Sequence, residues 1–352
     1  MILTFFTYLL SFFAFAAVFV VITDRSLRSK GYAGPVSDHF DGTKFFNIKD
    51  GVSQQRSVGL FSVLKWMLSR EKNMWKIRTV EQTKPMARVE DKELVATFIN
   101  HATVLLQTEG LNIITDPVYS ERASPFSFAG PRRFAAPGVA FDDLPPIDII
   151  LLSHNHYDHL DLATMKRLVA RDHPLVIVSL GNAAFLSRHG IKDAVELDWW
   201  QSHEINGDIS VTAVPAQHFS SRALSDRNKT LWCGFVVSTP NGDIYFSGDT
   251  GYGPFVQQLA DHFPHGFRLG LLPIGAYRPE WFMKEVHVSP DEAFTMHDQL
   301  KIKDVMAIHF GTFKLADDTQ DEPATRLREL TQNADGSRRF LALKNGERMR
   351  VE

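Results

Sequence analysis

The segment Ser153-His154-Asn155-His156-Tyr157-Asp158-His159-Leu160-Asp161 constrains this chain more than any other. It follows an apolar run, Ile147–Leu152, and precedes a helical pattern, Leu162–Ala170, which places it at a strand-to-helix turn. Three histidines and a carboxylate crowded into one turn are hard to account for as packing. Neutral imidazole and ionised carboxylate are ligands for zinc and similar ions. Alternate side chains of an extended stretch share a face, so His154 and His156 can address one ion. Asp158 and His159, past the bend, can reach a second. The spacing is that of half of a two-metal site.

The other half must come from elsewhere, and three candidates close predicted strands. His218 ends Val211-Thr212-Ala213-Val214-Pro215-Ala216-Gln217-His218, and His309 ends Val305-Met306-Ala307-Ile308-His309. Asp249 follows Tyr245-Phe246-Ser247-Gly248, where the glycine allows close backbone approach and the carboxylate can bridge two ions. Further β-rich runs lie at Val95–Ile99, Val104–Gln107, Ile113–Thr115, Leu175–Val178, Ile209–Val214, Cys233–Ser238, Ile244–Ser247 and Arg339–Leu343. Helical patterns fall at Asn182–Arg188 and Pro290–Leu300, the latter opened by the cap Ser289-Pro290-Asp291-Glu292. Strands interleaved with helices over residues 93–352 predict one layered α/β domain.

His-x-His-x-Asp-His, followed by separate His, Asp and His at strand ends, resembles the metal-ligand pattern of the metallo-β-lactamase superfamily. Within it, residues 94–325, together with the lead-in Val63-Leu64-Lys65-Trp66, resemble the N-acyl-phosphatidylethanolamine-hydrolysing phospholipases D. The matching segments are Asn100-His101-Ala102-Thr103, Thr115-Asp116-Pro117, Leu197-Asp198-Trp199-Trp200 and Asn228-Lys229-Thr230-Leu231-Trp232. Gly248-Asp249-Thr250-Gly251-Tyr252, Pro273-Ile274-Gly275-Ala276-Tyr277, Trp281-Phe282-Met283 and His309-Phe310-Gly311-Thr312-Phe313 complete the set. The resemblance implies a metallo-β-lactamase αββα sandwich with two zinc ions at one edge. His154, His156 and His218 would hold one zinc, and Asp158, His159 and His309 the other. Asp249 would bridge them, with a hydroxide between the ions as nucleophile. Asp158, Asp249 and His287 become the implied catalytic residues, His287 orienting substrate or stabilising negative charge. Asp116 would orient a ligand histidine, and His101 would stand at the site's edge. The implied reaction is hydrolysis of a phospholipid, N-acyl-phosphatidylethanolamine, to N-acylethanolamine and phosphatidic acid. A metal-dependent lactonase or phosphodiesterase on a soluble phosphorylated metabolite would use the same site, and a non-catalytic membrane-anchored binding protein only the fold.

Cys233 is the only cysteine, so no intramolecular disulfide and no cysteine-based zinc cluster can form. No Gly-x-Ser-x-Gly elbow is present, so no serine nucleophile is expected. A net charge of -3 lacks the basic excess of a nucleic-acid binder. The N-terminus is a separate object. No charged side chain occurs from Ile2 to Ile22, a length that meets the roughly 20 apolar residues a bilayer requires. This predicts a transmembrane anchor over residues 1–22. A cleaved signal peptide fits less well, because no Lys or Arg precedes the run and Ala14, Ala16 and Ala17 lie inside it. Arg25, Arg28 and Lys30 follow the run and Asp24 opposes them, a balance that favours a catalytic portion on the cytoplasmic side of an inner membrane. Residues 23–92 form a lead-in. In it Leu60, Phe61, Val63, Leu64, Met67 and Leu68 recur at helical spacing among Lys65, Arg70, Lys72, Lys76 and Arg78, with Trp66 and Trp75 flanking. A basic helix of this kind lies on an anionic membrane surface or packs on the main domain, and the sequence leaves both open.

Overall fold

Strands buried on both faces read as continuous apolar runs rather than as alternations. Leu94–Asn100, Ile149–Leu152 and Leu269–Pro273 are buried at every position. The computed structural model describes residues 2–49, 52–54, 60–71, 73–332 and 339–351. It contains two seven-stranded sheets. The first runs, edge to edge, Arg348–Val351, Leu94–Asn100, Thr103–Thr108, Leu111–Thr115, Ile149–Leu152, Leu175–Ser179 and Val195–Leu197. The second runs Arg339–Leu341, Asp304–Ile308, Leu269–Pro273, Ile244–Phe246, Gly234–Ser238, Ile209–Val214 and Ser202–Asn206.

The inner faces meet through residues such as Phe98, Leu106 and Leu151 from one sheet and Val211, Phe235 and Leu271 from the other. Helices Leu162–Asp172 and Ala183–Arg188 cover the first sheet's outer face through Leu168, Phe185 and Leu186. Phe255–His262, Pro290–Gln299 and Glu322–Gln332 cover the second through Leu259, Met296 and Leu327. This is the αββα sandwich the sequence predicts. Its helix starts follow local chemistry. Asp161 accepts from the Ala163 and Thr164 amides at 3.1 and 3.4 Å, and Ser289 with Glu292 forms a reciprocal capping box.

Topology then places the site. Ile149–Leu152 runs parallel to its neighbours Leu111–Thr115 and Leu175–Ser179, and Ile244–Phe246 runs parallel to Leu269–Pro273, which pairs in parallel with Asp304–Ile308. The chain leaves Leu152, Phe246 and Ile308 directly into Ser153-His154, Ser247-Gly248-Asp249 and His309. Gly248 sits at φ +60, and a Cβ there would lie 2.7 Å from the Ser153 side chain and 2.9 Å from the Cys233 carbonyl. Only glycine lets the Asp249 strand end come so close to the histidine loop.

The N-terminal run does form a helix, Ile2–Leu27. Among the described residues, however, no helix is long and apolar enough to cross a membrane. The transmembrane anchor over residues 1–22 is corrected accordingly, and so is the single-pass membrane location with a cytoplasmic catalytic side. Apolar composition dictates a helix here; it does not by itself dictate a span. The last turn carries Asp24 and Arg25 and is tied to the domain: the Ser225 amide donates to Asp24 at 3.0 Å, and Arg188 donates to the Arg28 carbonyl at 2.7 Å.

The rest of the lead-in also engages the sandwich. Phe40 and Phe45 are fully buried in the inter-sheet core, each contributing roughly 1.5–3 kcal/mol by burial. The helix Leu60–Ser69 packs on the domain: Trp66 stacks on Phe282 at 5.2 Å, its indole N–H donates to Asp317 at 3.1 Å, and Arg70 pairs with Asp317 at 3.2 Å. Leu64, Met67 and Leu68 stay exposed, and Lys72 of the basic set lies outside the described residues.

His39 clasps this lead-in to the domain. It lies between Asp38 at 2.5 Å and Asp198 at 2.7 Å and stacks on Trp199 at 4.3 Å. Burial opposes its protonation, but the hydrogen bonds and charges of Asp198 and Asp38 prevail and raise its pKa above the ordinary 6.5. A raised folded-state value means the stabilisation is full below pH 6.5 and fades as pH rises through the folded pKa. Urea unfolding should therefore show a larger stability deficit for His39→Gln at pH 6 than at pH 9; equal deficits would mean the charge contributes nothing.

Candidate metal centre

The histidine loop folds back on itself immediately after Leu152, because the His159 and Leu160 amides donate to the His156 carbonyl at 3.1 and 2.8 Å. That turn aims His154 and His156 at His218: His156 Nδ1 lies 2.8 Å from His154 Nε2 and 3.2 Å from His218 Nε2. Three ring nitrogens meet there. A second group forms around two carboxylates. Asp158 Oδ2 lies 3.1 Å from His101 Nε2, 3.3 Å from His309 Nε2 and 3.4 Å from His159 Nε2. Asp249 Oδ2 stands between the groups, at 3.0 Å from His309, 3.2 Å from His159, 3.7 Å from His218 and 4.0 Å from His287.

All seven residues expected as ligands, together with His287, Asp116 and His101, are thus brought to one place. His101 stands further in than the edge expected of it, buried and joined to Asp158. Asp116 is fully buried below them. Its carboxylate accepts from the Ser153 amide at 2.8 Å, the Ser153 hydroxyl at 2.6 Å and His159 Nδ1 at 2.6 Å. A carboxylate can only accept, so the His159 proton sits on Nδ1 and Nε2 is turned toward Asp158 and Asp249. His218 is fixed the same way, donating from Nδ1 to the Val286 carbonyl at 2.8 Å.

The electrostatics fit a bound cation. Burial above all, helped by neighbouring imidazoles and opposed by Asp158 or Asp249, pushes His154 well below its usual pKa and His101, His156, His218 and His287 down to about 3. These rings are neutral at pH 7, with lone pairs available. Burial works against the charges on Asp158 and Asp249 too, yet His159 and His309 hold both carboxyls well below the usual range. In return, and against burial, the carboxylates push His309 up to about 9 and raise His159 further. Without an ion, protons on those two rings balance the carboxylates. Asp249 Oδ1, His287 Nδ1 and His309 Nδ1 are buried with no hydrogen-bond partner, and His159 Nε2 is near carboxylates but in no hydrogen-bonding geometry. The orphaned Asp249 oxygen and His287 nitrogen and the converging neutral imidazoles are what a divalent ion satisfies. His154, His156 and His218 form one group of converging donors and His101, Asp158, His159 and His309 another, with Asp249 reaching both, and nitrogen and oxygen donors of this kind suit a divalent ion.

A cavity of about 450 Å³ opens from this cluster. His156, Asp158, His218, Asp249 and His287 form its polar end, and Trp66, Phe282, Met283 and Leu315, which cluster together, its apolar wall; Val63, Phe219 and Glu285 also line it. Two supporting residues escape sequence reasoning. Asn47 exchanges hydrogen bonds with the His218 backbone, its side-chain amide donating at 2.9 Å and its carbonyl accepting at 3.1 Å. Arg227 lines the cavity, and only its place beside the family-like Asn228-Lys229 segment hints at it.

A layered sandwich with this cluster at its edge defines a metal-dependent hydrolase. Residues 111–310 match the family described as the beta-lactamase superfamily domain, and the chain belongs to that superfamily. It is 36% identical to N-acyl-phosphatidylethanolamine-hydrolyzing phospholipase D 1 of Caenorhabditis elegans, over 85% of this chain and 88% of that one. It is 37% identical to the mitochondrial enzyme of that name from Saccharomyces cerevisiae over 63% of this chain, a match that spans 48% of the yeast protein. An isothiocyanate hydrolase from Delia radicum gut bacteria shares the fold, with a TM-score of 0.59 at 21% identity over 73% of this chain and 99% of that one.

Asp116 sets the tautomer of His159 from beneath, so its replacement should weaken metal binding without unfolding the sandwich. Asp116→Asn is expected to lower divalent-metal affinity by about 10- to 100-fold in chelator competition. An unchanged affinity would remove Asp116 from the centre.

Proposed function

We propose that this chain hydrolyses the phosphodiester bond of N-acylated phosphatidylethanolamines, releasing N-acylethanolamine and leaving phosphatidic acid; His154, His156, His218, Asp158, His159, His309 and Asp249 would hold the two zinc ions that the reaction would use. The observation that carries this reading is the cavity's division into a polar end of imidazoles and carboxylates and an apolar wall. A phosphate joined to acyl chains has the same division; a soluble sugar acid does not. Divalent ions at the polar end supply an acidified water and neutralise charge on a phosphoryl group.

The chain's own residues do the rest. Asp158 and Asp249 keep their negative charge despite burial, so they hold cations and do not act as proton donors. His287 lines the cavity beside Asp249 and is neutral, so it serves as a hydrogen-bond partner for a phosphoryl oxygen or the departing ethanolamine oxygen. Cys233 takes no part: it is buried, and burial pushes its thiol well above the usual range. Trp66, Phe282 and Met283 border the apolar end, where acyl chains exclude water.

The test is lipid turnover by purified, zinc-loaded protein in mixed micelles, with N-acyl-phosphatidylethanolamine offered beside a soluble phosphodiester. N-acylethanolamine should be released, Asp158→Asn should abolish release, and His287→Gln should lower kcat by about 10²- to 10³-fold. Turnover of the soluble ester alone would keep the hydrolase and remove the lipid.

A further inference from the structure

The cavity has one cationic side chain among its described lining residues, Arg227. Its guanidinium carbon lies 4.1 Å from the centre of the Phe219 ring, and the same ring packs 4.4 Å from His156 and 4.8 Å from His218. One aromatic ring therefore touches both the guanidinium and two of the candidate zinc ligands. Other arginines of this region are occupied. Arg222 donates to the Asn155 and Leu160 carbonyls at 2.8 and 3.0 Å, and Arg133 donates to Asn100 and to the Val118 carbonyl, both at 3.0 Å. Among the described residues Arg227 has neither a carboxylate partner nor a hydrogen-bond acceptor, although it is only partly exposed. Burial alone lowers its pKa, with no negative charge acting in the opposite direction.

A half-buried, unpaired cation in an apolar-walled cavity is costly unless a ligand brings the counter-charge. The cation-π contact with Phe219 positions the guanidinium without using any of its N–H donors in a hydrogen bond, and a guanidinium can give two of them to the oxygens of a phosphate. We propose that Arg227 recognises the negative charge of the phospholipid: its guanidinium takes an anionic oxygen of the phosphate-bearing headgroup while acyl chain lies against Trp66, Phe282 and Leu315. This rests on the cavity being the phospholipid site.

The experiment compares wild type, Arg227→Gln and Arg227→Lys, each zinc-loaded and matched for metal content and thermal midpoint. Titration calorimetry uses dihexanoyl phosphatidic acid and, as the uncharged counterpart, dihexanoylglycerol. Arg227→Gln should weaken the phosphatidic acid by about ten- to a hundred-fold and leave the neutral lipid unchanged, with Arg227→Lys in between. With N-acyl-phosphatidylethanolamine in mixed micelles, KM should rise in the same order with a smaller change in kcat. Unchanged phosphatidic acid binding, or equal weakening of both lipids, overturns the assignment even if the phospholipid is still cleaved. Wild type that fails to cleave the phospholipid but still loses phosphatidic acid binding through Arg227→Gln would sustain the anion site and remove the proposed reaction.

Discussion

The Asp116 carboxylate joins the centre to the sheet. It stands just beyond the strand Leu111–Thr115 and receives three donors from the loop that follows the adjacent strand, the Ser153 amide, the Ser153 hydroxyl and His159 Nδ1. Two neighbouring strand ends are thereby held in one register, and one imidazole is turned with its free nitrogen toward the carboxylates. Because the group is fully buried, each lost donor would leave an unsatisfied charge in a dry environment, a far larger penalty than the net gain of one hydrogen bond. The rest of the cluster is assembled on that fixed point: Gly248 brings Asp249 against Ser153, and His309 joins through its contacts with both carboxylates.

The cluster's charge explains why it needs no cysteine or serine. Five imidazoles are kept neutral by burial, while two carboxylates and two further imidazoles share opposite charge at close range. Such a set is ready for cations before any arrive, since few protons must leave it near neutral pH.

Much of this is legible in the sequence where short-range pattern and position agree. The histidine loop, the strand-end residues His218, Asp249 and His309, and the cap at Ser289 all announce themselves within a few residues. The strand Leu269–Pro273 does not, although it is central to the second sheet. Gly270 and Pro273 punctuate it like a loop, yet Gly270 is there because a Cβ would lie 2.7 Å from Ile302. Phe40 and Phe45 enter the core from segments without periodicity, so nothing local marks them. The apolar run at the N-terminus shows the opposite failure, a strong local signal that specifies a helix and says nothing of where that helix resides. Arg227 is invisible for a third reason: whether an arginine is paired is decided by residues far away in the chain.

The helix Leu60–Ser69 lies outside the matched superfamily region, residues 111–310, yet Val63 and Trp66 wall the cavity from it. It is held on the domain by Trp66 and Arg70 on Asp317. Part of the fit is thus written on a piece of the polypeptide that carries no ligand candidate. Substitutions in that helix can change which molecules reach the metals without moving a ligand, so a single chemical engine can be fitted with different entrances.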